Sequence, residues 1–156
     1  MERGVEKPPL KDRFTDNSDG TVTDNLTGLI WLKNANCFGL RTWNNALSDC
    51  NGLADGMCGL TDGSIAGDWR LSNRTELLSL IHDGYYRPAI SNTAGTAQWT
   101  EGDPFTNVQS EEYWSSTTYV GGSDIARIVY MDDGDVAYGI KYPDYEYFVW
   151  CLRGGR

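Results

Sequence analysis

The sequence predicts an α+β domain in which short strands are followed by two helices, long loops and a C-terminal antiparallel β-meander. Three observations carry this reading. Apolar positions alternate between Arg13 and Asn34 around the turn-forming tetrads NSDG and NLTG. Two capped segments in the middle of the chain repeat apolar residues at helical spacing. After Glu112 the chain turns to short alternating runs rich in Tyr. With 156 residues, 40% of them apolar and 12% aromatic, it has material for one packed core.

Residues 1–12 are polar, carry a Pro pair and read as a flexible leader; residues 13–156 read as a single domain. Val22, Leu29 and Trp31 supply the alternation of a hairpin and a further strand. TDNSDG looks like a calcium loop, but with Gly20 at loop position six the closing acid falls on Leu26 and the match fails. Thr42 caps the first helix, whose apolar stripe is Trp43, Ala46, Leu47, Cys50, Leu53 and Ala54. A Gly-rich connection then leads to a short strand at 68–71. Asn73 caps the second helix with Glu76 at capping-box spacing; Leu77, Leu80 and Ile81 form its buried stripe and Gly84 its stop. Residues 85–109 form a long irregular loop packed by Trp99 and Phe105. ARIVYM and DVAYGIKY then alternate around an MDDGD turn, and YFVWCLR closes the chain as a strand.

Composition excludes several functions. Lys and Arg number 13 against 22 Asp and Glu, a formal charge of -9. That charge disfavours nucleic acid, sulfated glycans and anionic membranes as partners. No apolar run is long enough to span a bilayer, which argues against membrane insertion, and the N-terminus has no signal-peptide stretch. A signal or anchor would therefore lie outside this sequence. The single His, His82, reads as a helix-end imidazole; without a G-x-S-x-G elbow it makes no hydrolase triad. Cys37, Cys50, Cys58 and Cys151 form no C-x-x-C. Four Cys in a small Gly-rich domain point to disulfides and an extracytoplasmic setting, with three connectivities open. Neither a metal site nor a cofactor nor an enzyme activity is expected; the acids at 132–135 read as a solvated turn in preference to a calcium site.

What remains is a recognition surface. Seven of the nine Tyr follow Glu112, and all ten Asn lie at or before Asn107. Tyr offers a large rigid contact area with a polar tip, and small neighbours let loops adapt. Val129, Val136 and Met131 are expected to point inward, with Ile128, Tyr130, Asp135 and Tyr138 outward. The full expected ligand face is Tyr119, Asp124, Ile128, Tyr130, Asp132, Asp133, Asp135, Tyr138, Ile140, Tyr142, Tyr145 and Tyr147.

Several strings together resemble one family. They are FTDNSDGTVTDNLTGLIWLKNANC, TWNNAL, CGLTDGSIAGDWRLSN, EGDPFTNVQSEEYWSSTTY and the terminal VWCLRGG. Over roughly residues 13–155 the chain resembles the Lcl C-terminal domain family of bacterial collagen-like adhesins and phage-linked surface proteins. The resemblance implies a C-type lectin-like fold of the formylglycine-generating-enzyme type. It also implies burial of Trp31, Trp43, Trp69, Trp114 and Trp150, which sit in those strings. A Cys37–Cys58 disulfide is implied as well, leaving Cys50 and Cys151 for a second bridge. No Glu-Pro-Asn or Trp-Asn-Asp string is present, so calcium-mediated sugar binding is not carried over, and the oxidase Cys pair of formylglycine-generating enzymes is missing too.

The same fold carries the variable proteins of diversity-generating retroelements, in which adenines of codons near the 3′ end are rewritten. Asn codons altered at their adenines reach Tyr, Asp, Ser, Gly, Ile and Val, but not Lys, Glu, Gln, Met or Trp. Between Tyr119 and Phe148 only Met131, Lys141 and Glu146 belong to the unreachable set. The expectation is a binding domain whose Tyr/Asp-rich C-terminal face is diversified to recognise a protein or glycan ligand on a cell surface. Its expected setting is extracellular, on a cell or virion surface, with oligomer formation open. Two rivals are a constant glycan- or matrix-binding adhesin domain and a relative of formylglycine-generating enzymes with other chemistry.

Overall fold

The computed structural model describes residues 12–142 and 145–154; the expected leader, apart from Asp12, and Asp144 lie outside the described residues. Ten elements follow one another: β1 (Phe14–Asp16), β2 (Thr21–Asp24), β3 (Leu29–Leu32), α1 (Trp43–Asn51), β4 (Arg70–Leu71), α2 (Arg74–Ser79), β5 (Glu112–Thr118), β6 (Ile125–Tyr130), β7 (Val136–Ile140) and β8 (Cys151–Gly154). Two antiparallel sheets result, one of five strands in the order β1-β2-β3-β8-β4 and one of three in the order β5-β6-β7. The described residues are therefore mixed α and β, mostly sheet, with two short helices.

The last strand leaves the meander. β8 enters the first sheet between β3 and β4, with Trp31 opposite Leu152 and Leu71 opposite Cys151. Trp150, just before it, is fully buried and meets Trp31, Phe105 and Tyr113 at ring-centroid distances of 5.4, 5.0 and 5.5 Å. Its indole N–H donates to the Leu32 carbonyl at 2.9 Å, so the polar atom is not stranded in the core. Trp69 and Trp114 are likewise buried with donated N–H groups, to Ser64 Oγ and the Arg41 carbonyl. Trp43 differs from expectation by being only partly buried. Its N–H donates to the Ser115 carbonyl, while the Lys141 ammonium lies 3.9 Å from its ring centroid.

Two disulfides tie the elements together. Cys50–Cys151 joins α1 to β8 across 101 residues with both side chains fully buried, and Cys37–Cys58 closes a separation of 21. Asn73 and Glu76 form a capping box at the start of α2. Glu76 also takes both guanidinium arms of Arg70 at 2.7 Å. The second helix is shorter than its apolar stripe suggests and ends at Ser79. Beyond it the chain tightens, Ile81 N–H bonding the Leu78 carbonyl, and His82 N–H then reaches the Ala89 carbonyl at 2.7 Å. His82 thus sits in a turn past the helix end, its Nδ1 accepting from Gly84 N–H and its ring against Tyr85.

Removing Cys50–Cys151 as a double Ala variant should cost about 2–5 kcal/mol, and removing Cys37–Cys58 about 1 kcal/mol less on the chain-entropy account, read from denaturation midpoints. Glu76 supplies a pH test. Its partial burial acts to raise the carboxyl, but the Arg70 hydrogen bonds, the Asn73 backbone N–H and the Arg70 charge outweigh it and hold it below 4.5. A folded-state pKa below the unfolded one adds stability at higher pH, lost as pH falls through the folded value. Glu76→Gln should therefore be less stable than the parent at neutral pH, with the gap closing in acid in paired melting curves.

Candidate functional site

The meander does not present the expected residues as one face. Register in the β5-β6-β7 sheet puts Arg127 opposite Tyr138 and Val129 opposite both Tyr113 and Val136, all on one side. Ile128 lies opposite Trp114 and Ala137, and Tyr130 opposite Glu112, on the other side. Both sides are covered at the sheet centre: Val129 is fully buried and Ile128 is 2% exposed. Assigning Ile128 to a solvent face is therefore wrong. A strand packed on both sides gives no apolar-in, polar-out signal, so alternation alone cannot orient it.

The remaining expected residues gather in separate places. At one end of the sheet, Tyr119 and Tyr138 lie with ring centroids 4.5 Å apart, and the Arg127 guanidinium sits 5.0 and 4.8 Å from their centroids. Tyr138 is 54% exposed. Asp124 is exposed beside this group, and Ile140, half-buried, pairs with Ile125. The neighbouring Val120 is almost fully exposed. Lys141 braces the edge by donating to Thr118 Oγ1 and the Ser123 carbonyl, both at 2.8 Å.

At the other end, the β6–β7 turn carries Asp132, Asp133 and Asp135. Asp133 Oδ1 accepts from Asp135 N–H, and Gly134 N–H donates to the Tyr130 carbonyl. Gly134 has φ +88°, and a Cβ there would come within 2.8 Å of Ile81 Cγ2, so the turn admits no side chain. Asp133 and Asp135 are exposed, whereas Asp132 is half-buried. Burial and the neighbouring Asp133 raise the Asp132 carboxyl, against the pull of Arg87. Among the described residues no group of three or more His, Cys, Asp or Glu could hold a metal ion.

A third group forms where the segment before β8 crosses the sheet. Tyr147 exchanges backbone hydrogen bonds with Arg41, and its ring meets Trp114 edge-on at 4.7 Å. Gly139 makes this approach possible, because a Cβ there would lie 2.6 Å from Trp114 and 2.9 Å from Tyr147. Tyr142 and Tyr145 are 59% and 45% exposed on the same crossing segment. Sequence reasoning missed Arg127 and Glu112, brought opposite Tyr138 and Tyr130 by strand register, and Lys141, which lies over Trp43. A cation or acid at alternate spacing on a Tyr-rich strand is the only trace of them in sequence.

Two clefts, of about 360 and 450 Å3, lie elsewhere. The first is lined by Arg13, Asn25, His82 and Ser91 among others, the second by Asp16, Lys33, Cys58 and Thr106 among others. No residue of the expected ligand face lines either. Recognition through the meander would use a surface and not an enclosed pocket.

A family model described as the Lcl C-terminal domain matches residues 20–153. Neither the search of curated proteins nor the search of solved structures finds a match.

Buried and exposed positions of this region make opposite predictions for truncation. Ile128→Ala should cost about 2–5 kcal/mol, as for other buried aliphatic side chains. Asp135→Ser and Tyr142→Ser should each stay within about 0.5 kcal/mol of the parent. Chemical denaturation of the three variants separates core from surface directly.

Proposed function

The chain belongs to the Lcl C-terminal domain family, and we propose that it is a ligand-binding domain, not an enzyme, whose C-terminal segment 119–147 is the recognition surface. One observation carries the reading: Tyr138, Tyr142 and Tyr145 are left exposed within a single segment, together with Val120. Exposed Tyr on a rigid support is what a protein surface uses for recognition, because it offers area at low entropic cost. The support is rigid here, with two disulfides and a four-ring cluster around Trp150 beneath the meander.

The segment is also the one we propose to be diversified by a retroelement, on a C-type lectin-like fold. Its depletion of Asn and enrichment in Tyr and Asp support this. So does the exposure of the residues that would vary, since surface positions accept substitution at little cost to stability. The ligand is a protein or glycan on a cell surface and the setting extracellular, on a cell or virion surface. The disulfides support that compartment, and among the described residues no helix is long and apolar enough to cross a membrane.

Sequencing the 3′ end of sibling copies tests the proposal. Substitutions should concentrate in codons for exposed positions such as Asp135, Tyr138, Tyr142 and Tyr145, and spare Ile128, Val129 and Trp150. Copies identical across 119–147 would leave a constant adhesin domain instead. In a binding assay, Tyr138, Tyr142 and Tyr145 changed together to Ser should abolish capture of the ligand while far-ultraviolet circular dichroism and melting stay close to the parent's.

A further inference from the structure

The side of the meander opposite Arg127 holds a carboxylate that pairs with no cation among the described residues. Glu112 lies directly across from Tyr130 in the β5–β6 register. The crossing segment runs beside it, Phe148 N–H donating to the Glu112 carbonyl at 3.0 Å, which brings Tyr147 alongside. Tyr147 is held there by Trp114, by the space over Gly139 and by its two backbone bonds to Arg41. The Glu112 charge reaches both phenols. It is the main reason the Tyr130 hydroxyl is raised, and it acts on Tyr147 after burial, with Tyr145 contributing as well.

Glu112 forms no ion pair among the described residues. Arg41, which pairs with Tyr147 through its backbone, holds its guanidinium 2.8 Å from Asp49. Glu111, Asp132, Asp133 and Asp135 lie on the strand ends and turn beside it, with Met131 N–H bonding the Glu111 carbonyl. Arg87 offsets this charge at Asp132. A negative, Tyr-walled surface on a chain of charge -9 is complementary to a cation.

We propose that Glu112, flanked by Tyr130 and Tyr147 with Tyr145 beside the latter, is the docking point for an arginine side chain of a protein ligand. A guanidinium is planar, pairs with a carboxylate through two parallel N–H groups and stacks on phenol rings. The protein's own Arg127 already lies against two Tyr rings on the far side of the same sheet. The inference rests on the meander being the recognition surface and names the chemistry it takes. Glu112 lies outside 119–147, so variation in that segment would remodel the aromatic walls while leaving the carboxylate in place.

The test is a nuclear magnetic resonance titration of the full chain with N-acetyl-arginine amide at physiological ionic strength, beside its neutral isostere N-acetyl-citrulline amide. Arginine amide should shift the amides of residues 111–114, 130 and 145–148, and citrulline amide should not. Glu112→Gln removes the charge without its shape and should weaken binding roughly tenfold. Tyr145→Ala, at an exposed position, should weaken it several-fold with unchanged melting. Equal shifts with both amides, shifts scattered over every acidic patch, or parental binding by both variants would overturn the proposal. So would shifts at these amides that grow with protein concentration alone, which would assign the surface to a second copy of the chain. Sibling sequences that vary in 119–147 beside a null titration would remove the arginine site and leave the recognition surface standing.

Discussion

Trp150 and Cys151 bring the end of the chain back into its beginning, and the rest of the architecture depends on that return. Without β8, β3 and β4 have no common neighbour, and the first sheet falls into a three-stranded meander and a stray pair of residues. Trp150 contributes most through area, since an indole among Trp31, Phe105 and Tyr113 removes a large apolar surface from water. Its one polar atom is satisfied by the Leu32 carbonyl, so burial carries no stranded donor. The Cys50–Cys151 bridge adds a covalent constraint to the same strand, closing most of the chain into one loop.

This arrangement separates the residues that hold the fold from the Tyr and Asp residues left exposed. The residues that hold the fold are Trp31, Trp69, Trp114, Trp150 and the buried Ile128 and Val129, all at or below 2% exposure. The Tyr and Asp residues left outside contribute little to that core, and their replacement alters a surface over an unchanged support. Tyr147 is the exception. Its ring closes over Trp114 and Gly139, so it belongs partly to the scaffold and partly to the surface.

Much of the local structure was legible because it depends on neighbours in sequence. The first hairpin, the Thr42 cap, the Asn73–Glu76 capping box and the MDDGD turn each follow from residues within a few positions of one another. The second helix stops sooner than its stripe: the chain tightens after Ser79, and His82 N–H bonds the Ala89 carbonyl instead of a helical partner. The expected ligand face was legible in composition and not in geometry. Tyr138, Tyr142 and Tyr145 are exposed, but Ile128 is core, and Tyr130 and Tyr138 occupy opposite sides of one sheet.

The sequence by itself determined the fold class, the family, the acidic character and the segment in which Tyr collects. Each is a property of composition, short-range pattern or motif order, and none needs the chain to meet itself. Only the tertiary structure decided the strand order, the sides of the meander and the company kept by Glu112 and Arg127. Those depend on pairing between residues tens of positions apart, and a strand buried on both sides carries no alternation by which its orientation could be read.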